Sequence, residues 1–213
     1  MPPTTYFEVA SLSRGAGPAS QDFAATFERG RVVVAVVADG AGGTGAGLEA
    51  ARSVLQAVKE VALGTGDAMD LRVWPQTLAA VDAKLLASKA GGQTTAVVVA
   101  CDAKRAICSS VGDSMAWRLR AGHQEELTRE QRPKPLLGGR PLPAHSTVVQ
   151  VQSGDLLLLA TDGLHKYASL PRITAMAGSK GALAETVAKL ADLPRLPSGG
   201  HPDDIGLVLV RLR

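Results

Sequence analysis

Acidic residues stand where the apolar runs of this chain begin and end. Asp39 follows the run VVVAVVA at 32–38, Asp162 follows LLLLAT at 156–161, and Asp113 follows ICSSVG at 107–112. Asp203 and Asp204 immediately precede IGLVLVRL at 205–212, and Asp22 opens the segment before Asp39. A carboxylate at the end of a buried strand is costly unless it is hydrated, paired or bound to a cation. Any one of these aspartates alone is an ordinary turn or strand-end residue. Several gathered on one rim would form an all-oxygen, strongly anionic pocket, which suits hard divalent ions such as Mg2+ or Mn2+ and not zinc. Glycines after Asp39 and Asp162 let the backbone come close, and the Gly40 carbonyl offers a further oxygen. The four histidines are scattered and show no metal-ligand spacing.

The elements that must position these groups can be read from periodicity. Residues 5–11 and 22–28 read as strands, and 31–39 as a central strand that is apolar on both faces. A helix over 48–63 carries Leu48, Ala51, Leu55, Val58 and Ala62 at helical spacing, and a second over 71–88 is closed by Gly91-Gly92. Four strands with short turns (94–101, 105–111, 114–120 and 124–128) have the spacing of an antiparallel meander. An irregular loop over 129–145 contains Pro133, Pro135, Pro141 and Pro143. Strands at 147–152 and 155–161, helices at 171–177 and 180–191, and a last strand at 205–212 complete the chain. Antiparallel groups of strands with helix pairs between and after them favour an α+β fold of two packed sheets covered by helices. No internal repeat or domain boundary is visible, so residues 1–213 are expected to form a single domain.

Composition removes several classes of function. The 213 residues carry 23 Lys plus Arg and 20 Asp plus Glu, a net charge of +3 without the clustered basic stripe of a nucleic-acid binder. Aromatics make up only 3%, too few for a base-stacking surface. The apolar runs are far below the about 18 residues of a membrane span, and the N-terminal stretch has no basic flank or apolar core of a secretory signal. Two cysteines, Cys101 and Cys108, give no disulfide framework and suit buried thiols in a reducing compartment. A cytoplasmic protein without nucleic-acid or membrane partners is expected.

The motifs around these aspartates match a known family in order along nearly the whole chain. Ser20-Gln21-Asp22, Ala38-Asp39-Gly40-Ala41-Gly42-Gly43, Gly92-Gln93-Thr94-Thr95-Ala96, Val111-Gly112-Asp113-Ser114, Ala160-Thr161-Asp162-Gly163-Leu164 and Pro202-Asp203-Asp204-Ile205 resemble segments of the metal-dependent type 2C serine/threonine protein phosphatases. The resemblance implies a four-layer αββα sandwich with a binuclear Mn2+ or Mg2+ centre and hydrolysis of phosphoserine or phosphothreonine by a metal-bridged water. By position, Asp39 would bridge two metals and Gly40 would add its carbonyl. Asp162 and Asp203 would hold the first ion, Asp22 the second, and Asp113 a third, weaker one found in bacterial members. The partners implied are a phosphoprotein substrate and a kinase or anti-sigma-type regulatory system.

The chain also departs from the family pattern. Gly17 stands where members usually carry a phosphate-gripping Arg, and the nearest candidate is Arg14; a bend through 15–18 brings Arg14 to the phosphate, or else it is a surface charge. Ala41 excludes the His that some members carry there, Met115 replaces an Arg, and the segment after Thr128 is short for a substrate flap. The chain thus resembles a minimal member near the sporulation stage II E type. A pseudophosphatase acting as a regulatory binding module is the alternative. A dinucleotide-binding reading of the Gly-rich turn at 40–47 fits neither Asp39 nor the antiparallel strands that follow.

Overall fold

The computed structural model describes residues 6–17, 20–41, 45–88, 92–141 and 143–213. Thr5, Pro18, Gly42, Gly43 and Gly91, which the sequence assigns to the first strand, the bend after Arg14, the turn after Asp39 and the end of the second helix, lie outside the described residues. In chain order the elements are β1 (Phe7–Arg14), β2 (Asp22–Arg29), β3 (Val32–Ala41), α1 (Ala46–Leu63), α2 (Val73–Ala87), β4 (Gln93–Thr94), β5 (Ala96–Cys101) and β6 (Arg105–Val111). There follow β7 (Met115–Arg120), β8 (His123–Glu126), β9 (His145–Gln150), β10 (Leu156–Ala160), α3 (Asp162–His165), α4 (Leu170–Ala177), α5 (Leu183–Asp192) and β11 (Ile205–Leu212).

The strands form two antiparallel sheets, one in the order β1-β11-β10-β7-β8 and the other β2-β3-β5-β6-β9, with β4 paired to β3. Alternation along each strand separates three cores. Val33, Ala35 and Val37 of β3 join Val97, Val99, Leu157, Leu159, Val208 and Val210 between the sheets. The alternate residues Val34, Val36 and Ala38 face α1 and α2, where Val54, Val58, Trp74 and Leu78 are buried. Leu156, Leu158, Ala160, Leu207 and Leu209 pack with Ile173, Val187 and Leu190 of α4 and α5. The expected α+β sandwich of helix, sheet, sheet and helix layers is therefore present. It also explains why VVVAVVA lacks polar alternation: β3 is covered on both faces.

The expected meander over 94–128 divides between the sheets. β6 pairs with β9 and not with β7, while β7 pairs with β10 and β8. Gly112, at φ +100°, makes the turn by which the chain leaves one sheet for the other. The strand expected over 94–101 is interrupted at Thr95, whose N–H donates to the Asp39 carbonyl at 2.9 Å. Both cysteines are free and lie in the inter-sheet core, where burial pushes each thiol up to about 12.

Leu159, fully buried between the sheets, and Val148, 44% exposed on β9, give a direct check of this layering. Leu159→Ala should lower unfolding free energy by about 2–5 kcal/mol in denaturant titrations. Val148→Ala should change it by no more than about 0.5 kcal/mol.

Candidate metal centre

Asp39 continues the inward-facing row Val33, Ala35, Val37, so the apolar filling between the sheets ends on a carboxylate. Directly opposite it on β2 stands Asp22, and like charges in such a cross-strand pair repel. The crossing at Gly112 delivers Asp113 to the same end, and α3 begins with Asp162 at the end of β10. Carboxylate oxygens of Asp39, Asp113 and Asp162 all lie within 4.8 Å of one another. Residues far apart in sequence thus converge because strand ends of both sheets meet there.

The surrounding backbone is tied in place. Asp39 N–H donates to the Thr95 hydroxyl at 2.9 Å, and the Asp39 carbonyl accepts from the Thr94 hydroxyl at 2.9 Å. Thr95 is in turn 2.7 Å from the Ser114 hydroxyl, beside Asp113. Gly40 pairs with Thr94 and donates its N–H to the Gln21 carbonyl. Asp204 accepts from Ala16 N–H at 2.7 Å and Gln21 N–H at 2.6 Å, anchoring the segment ahead of Asp22. Asp203 accepts from Asp204 N–H at 3.0 Å and remains partly exposed. A Cβ on Gly163 would stand 1.8 Å from the Asp204 carbonyl oxygen, so the start of α3 can approach β11 only as glycine.

These carboxyls are short of compensating charge. Burial, then the charge of Asp39, pushes Asp22 up to about 9, against the Thr161 hydroxyl, which favours its ionised form. One Asp22 oxygen is buried without a hydrogen-bond partner. Burial and then Asp162 push Asp39 up to about 6, and burial is also the main cause that raises Asp203. Among the described residues, the cation inside the cluster is Lys166, one helical turn after Asp162 and ion-paired with it, with its ammonium 3.9 Å from Asp113. Hydrogen bonding to Asp162 raises the Lys166 pKa. His165 contacts the Asp113 carbonyl at 3.1 Å and lies edge-on to Trp117; burial is the main cause that lowers its pKa. An all-oxygen, partly orphaned, mutually repelling donor set fits a hard divalent cation.

Five of the six expected carboxylate and carbonyl positions, Asp22, Asp39, Gly40, Asp113 and Asp162, are thus gathered around this end of the sandwich, and Asp203 precedes the neighbouring strand β11. Arg14 stands opposite Ile205, the residue that follows Asp204. It ends β1, and its guanidinium donates to Asp192 of α5 at 2.6 Å and contacts His201 at 3.4 Å. Lys166 and His165 are not among the residues singled out from sequence, although the spacing of Asp162 and Lys166 at i and i+4 is the signal that could have found the lysine.

Comparison with known proteins agrees with this geometry. Residues 29–213 match the family model of stage II sporulation protein E (SpoIIE). The chain belongs to this family, whose domain is of the PPM-type phosphatase kind. No curated protein sequence matches it. Among solved structures, the Mycobacterium tuberculosis serine/threonine phosphatase PstP/Ppp superposes with a TM-score of 0.81 at 22% identity, covering 97% of this chain and 99% of that one. The PstP catalytic domain is also known in complex with two manganese ions. The S. agalactiae serine/threonine phosphatase gives 0.84 at 22% identity, covering 98% of this chain and 100% of that one. PppA of Pseudomonas aeruginosa, a regulatory component of its T6SS, gives 0.80 at 24% identity, covering 98% and 99%. This SpoIIE-family chain therefore has the fold of bacterial protein serine/threonine phosphatases.

Carboxyl pKa values above the ordinary 3.8 make the metal-free fold lose stability as pH rises, because the unfolded chain releases those protons first. The loss should accumulate from about pH 4 through about 6 for Asp39 and onward to about 9 for Asp22. In metal-free thermal melts, Asp39→Asn should match the wild type near pH 4 and exceed its Tm at pH 8. A second expectation concerns the hydroxyl that holds Asp39. Thr95→Val should weaken Mn2+ binding by no more than roughly tenfold by calorimetry, the low end for loss of an outer-shell partner, because the lost bond holds the Asp39 backbone and not its carboxylate.

Proposed function

We propose that this SpoIIE-family protein is a metal-dependent phosphatase that hydrolyses phosphoserine and phosphothreonine in proteins. The observation that carries this reading is the convergence of Asp39, Asp113 and Asp162 on one point at the mouth of the sandwich. Asp39, Asp162 and Asp203, with the Gly40 carbonyl, would hold Mn2+ or Mg2+ ions, Asp22 would complete the second position, and Asp113 would serve a third. Such ions supply stabilisation of the phosphoryl oxygens and activation of the attacking water.

The chain's own residues supply the positioning. Thr94 and Thr95 clamp Asp39 from both sides of its peptide, and Ser114 carries that clamp to the turn holding Asp113. Asp204 keeps the segment before Asp22 from drifting away. A site fixed in this way meets charge that develops on phosphate with little reorganisation. The partners we propose are a phosphoprotein and the kinase or anti-sigma-type system that phosphorylates it. The free, buried thiols suit a reducing compartment, and we place the protein in the cytoplasm.

Purified protein should release phosphate from a phosphoserine peptide with Mn2+ or Mg2+ and lose that activity on chelation. Asp162→Asn should lower turnover by more than about a hundredfold, since it removes a ligand outright rather than an outer-shell partner, while circular dichroism stays native. Metal binding without turnover on any phosphopeptide would instead identify a pseudophosphatase, and activity that survives metal removal would overturn the metal reading.

A further inference from the structure

A phosphate monoester carries two negative charges near neutral pH, and a pocket built of carboxylates repels it. Divalent ions reverse that sign only in part, because each is already shared among several aspartates. A fixed cation at the rim would therefore strengthen substrate binding. Among the described residues, Lys166 is the one Lys or Arg that forms an ion pair with the clustered aspartates. Arg14, opposite Ile205 at the end of β1, is instead paired with Asp192 and contacts His201.

Lys166 is also suitably mounted. It follows directly after α3, the helix that carries Asp162 at its first position, so its backbone is fixed relative to a metal ligand. Its N–H donates to the Asp162 carbonyl at 2.9 Å. The side chain is 50% exposed, against 10% for Asp162, so the ammonium stands between the cluster and solvent. Its neighbours Asp113 and His165 also line a cavity of about 230 Å3, whose wall carries Glu126, Thr128, Arg129 and Gln131. A four-carbon stem with a compact charge can exchange one oxygen partner for another without moving the backbone.

Resting on the phosphatase reading, we propose that Lys166, whose ammonium pairs with Asp162 and lies close to Asp113, is the substrate-phosphate cation of this site and would turn to phosphate where divalent ions take those carboxylates. The lysine and the metals thus compete for the same oxygens, and loading the metals arms the lysine.

The test uses the full chain and two calorimetric titrations, Mn2+ into metal-free protein and orthophosphate into Mn2+-loaded protein, alongside phosphopeptide hydrolysis. Lys166→Met should bind Mn2+ at least about threefold more tightly, because a competing positive charge is gone. It should bind orthophosphate roughly tenfold to a hundredfold more weakly, the range for a lost charge-assisted contact. Lys166→Arg should retain part of the phosphate affinity. Lys189→Met, on an exposed face of α5, should bind orthophosphate within about twofold of the wild type, and Arg129→Met, from the cavity wall, should lose less affinity than Lys166→Met. Equal orthophosphate affinity in wild type and Lys166→Met, with hydrolysis intact, would overturn the role of Lys166 alone, as would a larger loss in Arg129→Met. A wild-type protein that binds Mn2+ but neither binds orthophosphate nor hydrolyses phosphopeptide would overturn the phosphatase reading beneath it.

Discussion

Repulsion among buried carboxylates is the constraint around which this molecule is arranged. The row that fills the space between the sheets, Val33, Ala35 and Val37, ends on Asp39, with Asp22 opposite and Asp113 and Asp162 close by. Left alone, such a group costs stability, and the fold tolerates it only because apolar layers on either side supply the compensating free energy. Trp74, Leu78, Leu157 and Leu159, all essentially inaccessible to water, belong to those layers. The cluster is therefore a mutually repelling group placed on a strongly buried scaffold, at the edge where strand ends from both sheets coincide.

The scaffold fixes the backbone of the site more firmly than its charges. Peptide groups of Asp39 are engaged by Thr94 and Thr95, and the segment before Asp22 is pinned by Asp204. The carboxyl groups themselves have few partners, and one Asp22 oxygen has none. A cation binding there meets oxygens that are already placed and poorly satisfied, so little ordering free energy opposes it. Lys166 fits the same logic, as a mobile charge on a fixed helical turn that offsets part of the repulsion.

Much of this was legible in the sequence because it depends on local pattern. The apolar run before Asp39 identifies a strand covered on both faces, and the positions of Asp22, Asp113 and Asp162 at run ends point to one rim. What local pattern does not encode is which strands pair. The turn at Gly112-Asp113 looks like another hairpin in a meander, yet it transfers the chain from β6 to β7 in the opposite sheet, and only sheet packing decides that. Thr95 reads as part of a continuous strand, whereas its side chain and N–H are directed to Asp39, a partner 56 positions away. Arg14 shows the same limit: its ion pair with Asp192 spans 178 positions, a contact that no periodicity announces.

In the reading proposed above, these aspartates share divalent cations. Crystals of the protein grown with Mn2+ and measured at the manganese absorption edge test it most directly, since anomalous scattering locates the ions without reference to activity. Two strong peaks are expected at the mouth of the sandwich, within bonding distance of Asp39 and Asp162 oxygens, with Asp22 and Asp203 adjacent and the Lys166 ammonium withdrawn from Asp162. Anomalous peaks only at other surface carboxylates, with the Lys166–Asp162 ion pair intact, would contradict it.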